Sequence, residues 1–252
     1  MSNADTDIGG VYRSFPATRL SVVQAVASDD EDTRRRAFGA LVEVYWKPVY
    51  FHLRWRWSLD GESAKDLTQE FFTEAMTRDF FAGYDPTRAR FRTFLKSCLD
   101  HFAANARRAA LRLKRGGDRA LLPLDFEGAD REFARAGQVA EADGDAQFHR
   151  EWVRALFGAA VESLRSHAAQ GGHEVRFQLF ERYDLGPEAE TDRPSYRTLA
   201  EEFHLPVTQV TNHLAWARRE FRRLVLARLR EVSGSDAEFR EEARDLLGVV
   251  IE

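Results

Sequence analysis

Between Thr208 and Arg222 the sequence TQVTNHLAWARREFR sets short polar side chains ahead of cations. Thr208, Thr211 and Asn212 come first, and Arg218 and Arg222 follow. Val210, Leu214, Ala217, Phe221 and Leu224 recur between them three and four residues apart. On a helix that spacing sends the apolar set to one side and the polar set to the other. Amides and hydroxyls can exchange hydrogen bonds with base edges, and arginines can hold phosphates. The chemistry such a face offers is recognition of nucleic acid. The residues before it, SYRTLAEEFHLP, supply the small Ala200 for a close helix crossing, the apolar Leu205 to plug a turn, and Pro206 to start a helix. His204 stands where such turns often carry a left-handed glycine. Together these residues read as a helix-turn-helix. The same pattern would also suit a helical hairpin with a charged outer face.

A second constellation lies upstream. From Arg88 to Arg115 the cations Arg88, Arg90, Arg92, Lys96, Arg107, Arg108, Arg112, Lys114 and Arg115 face Asp100 alone. Phe91, Phe94 and Phe102 are interleaved among them. Aromatic rings can stack on unpaired bases while cations follow the backbone. The same rings also suit a core, and Phe94 and Phe102 fit the core better than a stacking role. His149, His167 and His173 form no compact ligand pattern such as H-E-x-x-H. The single cysteine, Cys98, excludes an internal disulfide and a cysteine-based zinc cluster. No catalytic residue, metal or cofactor is expected.

The elements that must position these groups are helical. β-branched alternation is nowhere sustained. Helices are expected near Leu20–Ala27, in two stretches interrupted near Pro48, over the segment GESAKDLTQEFFTEAM with Ser63 as N-cap, and from Phe91 to the Gly116-Gly117 break. More are expected from Phe148, over HEVRFQLFERYDL, across the helix-turn-helix, and after Ser235 to Leu247. In the 252-residue chain hydrophobic residues make up 44% and charged residues 31%, enough for a packed core and a solvated surface. The net charge of −4 and pI near 6.0 conceal a basic–acidic–basic layout. Mean hydropathy is −0.48, and no apolar run approaches the roughly 18–20 residues that span a bilayer. The opening MSNADTDIGGVYRSF lacks a basic stretch followed by an apolar run. A cytoplasmic protein without membrane contact is therefore expected.

On these motifs the chain resembles bacterial RNA polymerase sigma factors of the extracytoplasmic-function (ECF) group. AKDLTQEFF resembles the segment of the second conserved region that docks on the polymerase clamp. YDPTRARFRTFL and DHFAANARRAA resemble the part that opens and reads the minus-ten element. SYRTLAEEFHLPVTQVTNHLAWARREFRRL resembles the fourth region, which binds the minus-thirty-five element. The resemblance covers about residues 41–115 and 148–230. It implies an all-α chain of two small helical domains joined by an acidic flexible linker, the second domain containing the helix-turn-helix. The expected boundaries are 1–116, a linker 117–147, 148–232, and a C-terminal helical extension 233–252.

The resemblance also implies roles. Asp66, Gln69, Glu70 and Phe71 would meet core polymerase. Tyr84, Asp85, Arg88, Arg90, Phe91, Arg92, His101, Asn105 and Arg108 would handle the minus-ten DNA. Thr208, Thr211, Asn212, His213, Trp216, Arg218, Arg219 and Arg222 would handle the minus-thirty-five DNA. His101 replaces an asparagine common in relatives, and Trp216 an arginine, so promoter sequence does not transfer. The implied partners are core RNA polymerase, through its β′ and β subunits, and promoter DNA, with room for an anti-sigma or other regulatory protein. The rival expectation is a helix-turn-helix regulator that binds duplex DNA without acting as a sigma subunit.

Overall fold

A computed structural model describes residues 22–77, 80–110, 122–136, 144–186 and 193–251. The protein is all-α, with no strand among the described residues. The chain divides into two compact units. One gathers the described residues up to Ala155 together with those from Leu229 onward; the other runs from Leu156 to Arg228. Both boundaries fall inside helices.

The first unit is built on α1 (Val22–Val26), α2 (Glu31–Arg56), α3 (Gly61–Ala75) and α4 (Phe91–Ala110). Asp30 caps α2 by accepting a hydrogen bond from the Thr33 amide at 2.9 Å, and Glu31 and Asp32 complement the helix dipole. The expected interruption near Pro48 is absent, and α2 runs through it. Leu41, Val44, Tyr45, Val49, Tyr50, Phe51 and Leu53 are all buried on this helix. Burying each such side chain yields about 1.5–3 kcal/mol, and together they outweigh the roughly 3 kcal/mol that an interior proline costs. The N-cap of α3 is Asp60 rather than Ser63. Its carboxylate accepts from both the amide and the hydroxyl of Ser63 at 2.9 Å.

Asp100 ties α4 to α2. It lies 2.8 Å from His52 Nε2 and accepts a hydrogen bond from Trp57 Nε1 at 3.0 Å. Lys96, which also pairs with Asp145, stands 3.3 Å from it. Burial pushes the Asp100 carboxyl up, but the His52 and Trp57 contacts and the nearby cation outweigh this and hold it well below the usual range.

Part of the segment expected to be a linker is a packed helix, α5 (Phe126–Ala136). Phe126 meets Trp46 and Tyr50 edge-on, and Phe133 lies beside Phe51 and Trp55. Tyr50 donates to Asp130 at 2.6 Å, Arg54 donates to the same carboxylate, and Lys47 reaches Glu132. Two of the acids that suggest a solvated tether, Asp130 and Glu132, are therefore partners of α2 cations. The remaining helices of the unit are the start of α6 (Gly144–Gln170), the last turn of α9 (Val207–Val232) and α10 (Asp236–Leu247). Ser235 caps α10, and Gly248 closes it at φ 64°, where only a glycine is unstrained.

In the second unit the rest of α6 packs with α7 (Glu174–Phe180), which continues into one π turn at Glu181–Leu185. Leu164, Ala168, Phe177, Phe180 and Ala217 form one apolar cluster. Leu179, Leu199, Ala200, Val210 and Leu214 form another, which joins α8 (Tyr196–Glu202) to α9.

Candidate nucleic-acid interface

The turn between α8 and α9 is set by a few residues. Ser195 caps α8 by accepting from the Thr198 amide at 3.1 Å. His204 takes φ 53°, the left-handed conformation anticipated at that position. The Leu205 amide then returns to the Ala200 carbonyl at 2.9 Å, and the Leu205 side chain packs on the Leu199–Leu214 cluster. Ala200 is buried at this crossing, and Pro206 opens α9 with its carbonyl accepting from Gln209 and Val210.

The two faces of α9 follow from this seat. Val210, Leu214 and Ala217 are fully buried. Thr208, Thr211, Asn212 and Arg219 are exposed, and His213, Trp216, Arg218 and Arg222 are half-buried. The first two turns thus present two hydroxyls and an amide outward. The Thr211 hydroxyl donates to the Val207 carbonyl at 3.1 Å, and Arg218 and Trp216 are engaged by neighbouring elements. Arg218 makes a double hydrogen bond to Asp184, both contacts at 3.0 Å, and lies over the Tyr183 ring. Trp216 stacks near-parallel on His167, meets His173 edge-on at 5.0 Å and carries Arg176 over its face. Burial, followed by the charge of Arg176, holds the nearby His213 imidazole below its ordinary pKa. Asp184 sits in the π turn, a feature that helical periodicity in the sequence does not announce.

In the first unit α4 carries a stripe. His101, Asn105 and Arg108 lie along one exposed face, and Arg108 donates to the Asn105 side-chain oxygen. The loop before α4 is held by Asp85, which accepts from the Thr87 amide and hydroxyl at 2.9 and 2.7 Å, and Arg88 is exposed there. Phe91 is completely buried against Tyr45, Phe81 and Tyr84, so it is a core ring here and not a stacking platform.

The other predicted residues of this loop meet α10. Tyr84 donates to Glu238 at 3.1 Å. The Phe91 amide donates to the other oxygen of Glu238 at 2.8 Å. Arg90 pairs with Glu242, Glu241 and Asp245, and Arg92 pairs with Glu242 while lying over the Trp152 ring. Sequence reasoning left these four acids unused. Their spacing does place them on one helix face, but nothing in the sequence says which surface that face meets.

Along α3, Asp66 is exposed and Glu70 partly so. Gln69 and Phe71 point inward, contrary to their expected role as contact groups. Phe71 is fully buried among Phe72, Phe80 and Phe102. Gln69 forms a two-point clip with the backbone of Leu122, donating to its carbonyl at 2.9 Å and accepting from its amide at 2.8 Å. The reason is periodic: Thr68, Phe71, Phe72 and Ala75 define the buried side of α3, and Gln69 shares it. Arg112, Lys114 and Arg115, the last cations of the upstream basic stretch, lie outside the described residues.

No family model, curated protein or solved structure matches the chain.

Proposed function

We propose that the protein is a sigma subunit of the ECF type, which joins core RNA polymerase, directs it to promoter DNA and helps to open the duplex. The observation that carries the proposal is the outward face of α9, polar in its first two turns and cationic later. In this reading α8 and α9 form a helix-turn-helix in which Thr208, Thr211 and Asn212 meet base edges while Arg219 and Arg222 hold phosphates. The exposed stripe His101–Asn105–Arg108 supports a second contact with separated strands. Asp66 and Glu70 would meet the polymerase. The protein would act in the cytoplasm and carry out no covalent chemistry. Among the described residues no helix is long and apolar enough to cross a membrane.

A regulator that binds duplex DNA without polymerase is the second reading, favoured by the inward orientation of Gln69 and Phe71. The test adds the purified chain to core polymerase and sequences the transcripts made from genomic DNA. Discrete new start sites are expected. They should be weakened by Asp66→Arg with Glu70→Arg, because reversal of exposed charge acts on association more than on folding. Binding to duplex DNA with no effect on core polymerase would select the regulator.

A further inference from the structure

The groups that gather at the start of α4 are those that hold phosphate: two guanidinium groups, a tyrosine hydroxyl and a helix-opening amide. In this structure all four are engaged by α10. Glu238 takes the Phe91 amide and the Tyr84 hydroxyl, Glu242 takes Arg90 and Arg92, and Glu241 and Asp245 add to Arg90. Glu242 is 1% exposed and Glu238 7%, so the contact is built in and does not skim the surface. Four carboxylates against two guanidiniums also leave the patch net negative. Backbone geometry fits the same docking. Gly234, just before α10, packs so closely on Tyr84 that a Cβ there would come within 2.3 Å of its hydroxyl oxygen, and its amide donates to Glu238. Phe239 and Ala243 seal the helix from beneath.

We propose that α10 is a self-inhibitory plug, an acidic helix that occupies the loop at residues 84–92 as nucleic acid would and must leave before that loop can bind a strand. The proposal rests on the minus-ten DNA role that the family resemblance implies for that loop. The seat is suited to release. Burying carboxylates and guanidiniums together gives back in desolvation much of what their attraction supplies. A closed form that dominates about ten to one weakens the apparent affinity of the loop about ten-fold.

The test measures fluorescence anisotropy of a labelled single-stranded oligonucleotide of about 20 nucleotides with the full chain, Gly234→Ala, and Glu241→Ala with Asp245→Ala. The first variant obstructs the Tyr84 seat without changing charge. The second changes only exposed carboxylates, and Glu62→Ala with Glu127→Ala controls for the lost charge. Both release variants are expected to bind about ten-fold tighter than the parent, and adding Arg90→Ala should remove the gain. Binding no tighter than the parent in both variants, with helical content retained, overturns the plug. Transcription with core polymerase, run in parallel, separates the two ideas. If it fails while the Arg90-dependent gain persists, the sigma role falls and the plug stands. If it succeeds without any gain, the plug alone falls.

Discussion

Replacing Gln69 by alanine separates a structural clip from a partner contact. The side chain exchanges two hydrogen bonds with the Leu122 backbone, at 2.9 and 2.8 Å, and is 6% exposed. Each such bond contributes about 1 kcal/mol net, and the lost methylene about 0.8 kcal/mol more. Leu122 is only half-buried, so water can reach its amide and carbonyl and limit the penalty. The expected loss is therefore about 2–3 kcal/mol, which at a urea dependence of roughly 2–3 kcal/mol per molar lowers the midpoint by about 1 M. Gln69→Glu should cost more, because a carboxylate oxygen would replace the amide donor beside the Leu122 carbonyl. Urea titration followed by tryptophan fluorescence reads the midpoint, and hydrogen exchange reads the Leu122 amide directly. An unchanged midpoint with Leu122 still protected would refute the clip. If that variant also lost affinity for core polymerase, Gln69 would be a contact residue after all.

Asn212→Ala should cost on the order of 1–3 kcal/mol on a preferred duplex and relax its sequence preference, whereas Arg218→Ala should lower stability by about 1 kcal/mol through loss of the part-exposed Asp184 pair; duplex binding and thermal melts of both variants check the division. His204→Gly should raise stability by about 0.5–1 kcal/mol by relieving the left-handed backbone, and an unchanged melting temperature would show that the turn carries no strain. Asp100 is faced by His52, Trp57 and Lys96, the last shared with Asp145. Its carboxyl sits below the unfolded value of about 3.9, so its stabilisation is complete above that pH and is lost as the pH falls through the folded value. The gap in urea midpoint between parent and Asp100→Asn should therefore be full near about pH 6 and shrink below about pH 4.

The sequence determined what depends on local periodicity. The helix class, the span of α4 up to Ala110, the end of α10 at Leu247, the left-handed His204 and the plug at Leu205 all follow from spacing and from the stereochemistry of single residues. The exposed face of α9 follows as well, because three- and four-residue spacing fixes which side is buried. Only the tertiary structure decided what depends on distant partners. Pro48 stays helical because the residues around it are buried together, and Asp130 and Glu132 of α5, still partly open to water, pair with Arg54 and Lys47 of α2. Gln69 turns inward to a backbone 53 positions away. The covering of Arg90 and Arg92 by α10 joins residues about 150 positions apart. A charged face on a helix looks the same in sequence whether it meets solvent, DNA or another helix, since periodicity encodes a direction and not the partner that lies along it.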